Sequence, residues 1–394
     1  MMSNRERLEE NNEKLNSLIE LIKNKTNPTK PTGKYSLFIV AFNGDIILDG
    51  RANEGDVVTL PTPPTYDRLT FDHWATELEL IDNSFVMPAH NVCIGAVYVP
   101  TSGLTELDFV IDDKITTGPV TLNMTGTKDW GDGTIDQETT HTYAKNGEYL
   151  VTCDGARASN DNNLIPVDNF YCKNARLSPN LTWTGKCFDG ARGLESVAVR
   201  QISSAGNGYG GFFRNCPRLK CVVFGVGSTR IQYNDLNDCY SLRYIIAPTL
   251  TSVGSQNLNI TNSYGVQKIY IPNSRDTFVV GTYNTILNEY YFSKVTSLTS
   301  SHQIAGGMKY IKIPETVTKM SGNAISFTRS PNLEIVDLSD FTTVLTLSST
   351  ITESTITKSG VKFVVPDALY DEWIVATNWS AIAFRIVKRS EVII

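Results

Sequence analysis

Asp129, Asp132 and Asp136 are the residues whose type and spacing come nearest to metal chemistry. Clustered carboxylates suit a hard cation such as calcium. The alternation of an EF-hand loop is missing, because positions 131 and 133 are glycine. Aspartate side chains in a glycine-rich turn can equally hold backbone amides. No metal and no other cofactor is therefore expected, with a calcium loop at these aspartates as the alternative. Of the four histidines, His73 and His90 sit in apolar packing stretches, His141 sits in a strand-like one, and His302 has no assigned place. Neither a GxSxG, a P-loop, an HExxH nor a dinucleotide fingerprint occurs, and acidic residues on the repeats are few. A carboxylate pair for sugar chemistry can hide in any repeat architecture, but the chain is not expected to be an enzyme. The seven cysteines are an odd number with no CxxC pair. They read as reduced thiols and small buried spacers, not as a disulfide or zinc framework.

The element that must position any surface chemistry is a repeat running from about Cys187 to Pro366. One phrase returns as LESVAV at 194–199, LKCVVF at 219–224, LRYIIA at 242–247, VQKIYI at 266–271, MKYIKI at 308–313, LEIVDL at 333–338 and VKFVV at 361–365. The steps are 25, 23, 24, 42, 25 and 28 residues, and a degenerate unit around Leu287 would divide the 42. A period in the twenties headed by LxxLxL is the signature of a leucine-rich-repeat solenoid, each unit adding one strand to a parallel sheet. The third and fifth positions of each phrase then face outward. They are Cys221 and Val223, Tyr244 and Ile246, Lys268 and Tyr270, Tyr310 and Lys312, Ile335 and Asp337. Tyr244, Lys268, Tyr270, Tyr310 and Lys312 form the candidate binding ladder, suited to glycan or protein contact by stacking and hydrogen bonding. The competing reading is that aromatic and β-branched residues simply favour strands.

With 394 residues, several domains are expected. A net charge of -6 with 19% charged residues excludes the basic bias of a nucleic-acid binder. The absence of an eighteen-residue apolar run argues against membrane insertion. The start of the chain has no apolar core of the secretory type. Residues 1–26 are polar with Leu8, Leu15, Leu18 and Ile22 at steps of seven, three and four. This pattern predicts a coiled-coil attachment helix, with Ile19 and Leu21 widening the stripe toward a trimer over a dimer. The alternative is an amphipathic helix lying on its own domain. Residues 27–33 carry two prolines and form a linker.

Residues 34–100 switch to period two around the hairpin signal Asn43-Gly44. Their phrases GDVVTLP at 55–61, LTFDHW at 69–74 and MPAHNVCIGAVY at 87–98 resemble the internalin B-repeat, or Listeria-Bacteroides repeat. The resemblance implies a small β-grasp-like spacer of bacterial and phage surface proteins. Residues 101–155 carry DWGDGT at 129–134, HTY at 141–143 and GEYLVT at 147–152, and resemble the polycystic-kidney-disease domain, an immunoglobulin-like sandwich. Residues 156–365 hold the repeats. Their Asn215-Cys216 and Asp238-Cys239 steps, with prolines at 272, 314 and 366, resemble the BspA-like leucine-rich repeat. Residues 366–394 open with a proline and acidic residues, and place Leu369, Trp373 and Ala376 on one helical face, as a helical cap would. This end resembles the ends of phage and gut-bacterial proteins with BspA-like repeats.

The expected molecule is mainly β: an N-terminal coiled-coil helix, two small β modules, then a leucine-rich-repeat solenoid with a helical C-terminal cap. The expected function is that of a non-enzymatic phage fibre or appendage, resembling phage tail proteins. Its N-terminal helix would contact other virion proteins, and its solenoid a host-surface glycan or protein. The expected location is the virion surface, after assembly in the host cytoplasm. The alternatives are a bacterial cell-surface adhesin and a carbohydrate-active enzyme.

Overall fold

The computed structural model describes residues 33–114, 116, 118–157, 163–202, 211–228, 230–231, 235–250, 252–253, 258–260, 262–272, 278–279, 289–291, 296–298, 309–325, 330, 332–351 and 360–392. The expected attachment helix with Leu8, Leu15, Leu18 and Ile22, nearly all of the linker, Leu287 and His302 lie outside the described residues, whereas the strand of the unit expected around Leu287, Glu289–Tyr291, is described and pairs in parallel with Lys268–Tyr270. The chain is mainly β, with a β-solenoid of about six turns.

The first strands in chain order are β1 (Tyr35–Ala41), β2 (Ile46–Ala52), β3 (Val57–Thr59), β4 (Leu69–Ala75), β5 (Ser84–Val86) and β6 (Val92–Pro100), with one sheet ordered β2-β1-β6-β4. Contacts divide the chain into two compact units. The first holds residues 33–38, Leu48–Pro61 and Leu80–Val92. In it β3 pairs antiparallel with β5, placing Val57 opposite Val86. Asn83 Nδ2 closes this ribbon by donating to the Leu60 carbonyl at 3.0 Å. The second unit holds Ile39–Ile47, Thr62–Glu79 and everything from Cys93 onward. There β4 pairs antiparallel with β6, and the rings of Phe42, Tyr66 and Tyr98 meet edge to face or tilted at 5.0 to 5.5 Å. Aromatic contacts of this kind add to the burial that holds so small a layer together.

Next come β7 (Thr105–Ile111), β8 (Val120–Thr121), β9 (Lys128–Asp129), β10 (Ile135–Asp136), β11 (Thr140–His141), β12 (Gly147–Cys153), β13 (Cys172–Arg176) and β14 (Ser196–Ala198). A separate sandwich ending at residue 155 is not what these strands build. Their six-stranded sheet runs β10-β9-β12-β7-β13-β14, so β7 pairs on one edge with β12 and on the other with β13. At β13 the pairing changes from antiparallel, toward β7, to parallel, toward β14. Arg176 fastens this junction with ion pairs to Glu106 at 3.0 Å and Asp108 at 2.5 Å. One apolar core runs on from Leu107 and Trp130 through the repeats to Trp379. Residues 101–155 thus cover the open edge of the first rung, which would otherwise present unpaired backbone groups.

Parallel rungs follow, first Cys221–Val223, Tyr244–Ile246, Lys268–Tyr270 and Glu289–Tyr291, later Tyr310–Lys312, Ile335–Asp337, Lys362–Val365 and Ile386–Lys388. The short helix α1 (Tyr370–Val375) covers the far end. Trp373 and Trp379 are fully buried there, ring centroids 4.8 Å apart, and Trp379 Nε1 donates to the Leu345 carbonyl at 2.7 Å.

The corner before each strand explains the Asn-Cys step. Asp168, Gly190, Asn215, Asp238 and Asn262 occupy one column, and every one has a positive φ, between 57° and 76°. Only glycine, asparagine and aspartate adopt that left-handed conformation at little cost. The next residue is buried at each of the five, and at the last three it reaches back one rung. Cys216 Sγ donates to the Phe188 carbonyl at 3.0 Å, Cys239 Sγ to Phe213 at 3.1 Å and Ser263 Oγ to Leu236 at 2.7 Å.

Candidate functional site

The strand ladder does not present the surface expected of it. Tyr244 is 5% exposed and Tyr270 0% exposed, and Cys221, Val223 and Ile246 are buried with them. The cause is a layer laid on these rungs by residues 39–47, 62–79 and 93–100. The hairpin tip at Gly44 lies against Cys221. Gly95 lies so close that a Cβ there would stand 2.3 Å from Val223 Cγ1. His73 Nε2 accepts the Val226 amide at 3.0 Å, while its Nδ1 meets Asp72 Oδ2 at 2.5 Å. The Tyr270 hydroxyl donates to Glu77. Of the ladder residues, Lys268, Tyr310 and Lys312 remain half-exposed. Tyr310 donates to Asp337 Oδ2 at 2.6 Å, and Lys312 pairs with Asp340. Burial, followed by the charge of Asp337, pushes the Tyr310 phenol above its ordinary value.

The calcium alternative meets three carboxylates that are each employed in a turn. Asp129 Oδ1 accepts the Gly131 amide at 2.9 Å. Asp132 Oδ1 accepts the Thr134 amide at 3.0 Å, and its Oδ2 faces His141 Nε2 at 2.8 Å. Asp136 Oδ1 accepts from Trp130 Nε1 at 2.9 Å and from the Glu138 amide at 3.0 Å. Burial raises the Asp132 carboxyl, but the hydrogen bonds from His141 and Thr134 outweigh it and hold the group below the usual carboxylate range. Among the described residues no group of three or more His, Cys, Asp or Glu side chains could hold a metal ion.

Two surface features have binding geometry. One is a cleft of about 440 Å³ between the Asn43-Gly44 hairpin and the first to fourth rungs, lined by Asp45, Asn174, Glu195, Ser196, Lys220 and Arg243 together with the hairpin tip. Its polar groups largely satisfy one another: Lys220 Nζ pairs with Glu195 Oε2 at 3.2 Å and Ser196 Oγ donates to Asn174 Oδ1 at 2.7 Å. Such a lining offers hydrogen bonds to a neutral polar molecule without a nucleophile and base set to react.

The other is the solenoid corner, two residues before each leading apolar residue, Cys172, Leu194, Leu219, Leu242 and Val266. Phe170, Arg192, Pro217, Tyr240 and Tyr264 fall there, one per rung. Phe170, Tyr240 and Tyr264 keep 45%, 49% and 41% of their surface in solvent. Tyr240 and Tyr264 lie 6.0 Å apart with an interplanar angle of 26°. The Arg192 guanidinium lies 5.9 Å over the Phe170 ring and pairs with Asp168 at 2.7 Å. Tyr264 donates to Asn262 Oδ1 at 2.6 Å, and Asn262 Nδ2 donates to Asp238 Oδ1 at 2.7 Å, so the column is held from rung to rung.

The strand phrase by itself does not show this column. The signal lies two residues before each leading apolar residue, as a flat side chain after the buried Asn169, Ala191, Cys216, Cys239 and Ser263. No protein-family model matches this chain, and no curated protein does.

Proposed function

We propose that the chain is a non-enzymatic recognition protein of a phage particle, a fibre or appendage that displays its solenoid to the host surface. The observation carrying this reading is the exposed corner column, in which rings and a guanidinium recur rung by rung on a scaffold closed at both ends. Sites on rigid elements keep their groups in place and lose less entropy on binding. Further support comes from the phrases that resemble the internalin B-repeat, the polycystic-kidney-disease domain and the BspA-like leucine-rich repeat, modules of externally displayed proteins. In this reading residues 1–26 attach the chain to other virion proteins and assemble it into a homo-oligomer, a trimer over a dimer.

The test is mass spectrometry of phage particles banded on a density gradient. The chain should be found in the band at a fixed ratio to the major structural proteins. Its absence there, with recovery in the cell envelope, would replace this reading by that of a bacterial surface adhesin.

A further inference from the structure

We propose that the corner column of Phe170, Arg192, Pro217, Tyr240 and Tyr264 is a carbohydrate-binding strip, and that its ligand is a linear, neutral polysaccharide lying along the solenoid axis. The inference rests on the recognition reading above and names the ligand class and the place where it binds.

Neighbouring rungs of a parallel sheet stand roughly 4.8 Å apart, so a residue repeated once per rung makes a continuous strip and not isolated spots. Three of its members are aromatic rings nearly half in solvent. A sugar ring carries C–H groups on its faces and hydroxyls on its rim. Its faces therefore suit exposed rings, and its hydroxyls suit whatever borders them. The border here is rich in acceptors: Asp168, Asp238 and Asn262 sit at the left-handed turn two residues before the column members Phe170, Tyr240 and Tyr264. Their partners Arg192, Asn262 and Tyr264 each use part of these oxygens. An ionised carboxylate has about four acceptor positions, so capacity remains. Such a border favours a ligand that donates hydrogen bonds. Hydroxyl groups donate, whereas a proline-rich peptide, the other occupant suited to exposed rings, has few donors to give. The aspartates also oppose an anionic glycan, which selects a neutral one.

The test uses the full chain in native gels containing dextran, mannan, xylan or soluble starch. At least one polymer should retard the wild-type protein. The double variant Tyr240→Ala/Tyr264→Ala should bind about tenfold more weakly, and Tyr240→Phe/Tyr264→Phe should keep binding within about threefold, because it keeps the rings. Both variants should unfold at the wild-type urea concentration, since the side chains are exposed. Retardation by none of the four polymers, or equal retardation of the alanine variant, would overturn the proposal. So would binding of a decaproline peptide in its place. If the chain is present in particles and no polymer binds, this inference fails and the particle reading stands. If a polymer binds through the tyrosines and the chain is absent from particles, the reverse holds.

Discussion

Tyr270 and Tyr240 show how position in the rung decides the role of a side chain. Tyr270 belongs to the strand face and is enclosed, its hydroxyl donating to Glu77. Tyr240 belongs to the corner and is half in solvent. Truncating a fully buried aromatic costs about 3–5 kcal/mol, whereas an exposed one away from special features costs within about 0.5 kcal/mol. Urea unfolding of Tyr270→Ala and Tyr240→Ala should therefore separate the two strongly, and equal midpoints would contradict this assignment. The seven cysteines behave as one class: none is in a disulfide and all are buried. Burial pushes the Cys187 and Cys239 thiols up to about 12. A folded value above the ordinary 9.0 means that stability from these groups is complete below pH 9.0 and is lost as pH rises toward 12. Thermal melts should thus hold level up to about pH 9 and fall beyond it, and a thiol reagent at pH 8 should react only after unfolding.

The scale of the element is where the sequence was most legible and also where it misled. The LxxLxL phrase identified the rungs at 219–224, 242–247, 266–271 and 333–338, because burial of a leading apolar residue and two more on one strand face leaves a regular trace. The Asn-Cys step was visible too, and its physical content is the left-handed turn followed by a donor that reaches back one rung. Asn262→Gly and Asn262→Val both lose the hydrogen bonds to Asp238 and Tyr264, but glycine keeps the left-handed turn at a φ of 61°, so the valine variant should be less stable than the glycine variant by about 1–3 kcal/mol in urea titration. What could not be read was which outward face stays outward. The alternation within KIY at 268–270 says that Lys268 and Tyr270 leave the solenoid core, and it is silent on a second layer arriving from residues 39–47, 62–79 and 93–100. Gly95 is the place where that layer comes closest to the rungs. Gly95→Ala should destabilise by about 1–3 kcal/mol, because the methyl must displace Val223. A neutral result would mean that the layer is loosely held.

At the scale of the whole molecule, the second unit is a stack closed at both ends. Antiparallel pairing by β7 closes one end, and Trp373, Trp379 and the strand Ile386–Lys388 close the other. The phrase at 147–152 ends the pattern that resembles the polycystic-kidney-disease domain, which puts an expected boundary at residue 155. The structure carries the sheet past it because β7 has two edges and β13 lies along the second. A stack closed in this way has its strand face partly covered and its corner open, which leaves the corner column as the proposed recognition face. The most direct test of that claim is flow cytometry with a fluorescent-protein fusion of the full chain on the bacterium whose lysate carries the particles. Wild type and Lys268→Ala/Lys312→Ala should label the cells saturably, and Tyr240→Ala/Tyr264→Ala should lose the labelling. Equal labelling by all three, or loss confined to the lysine variant, would contradict that claim.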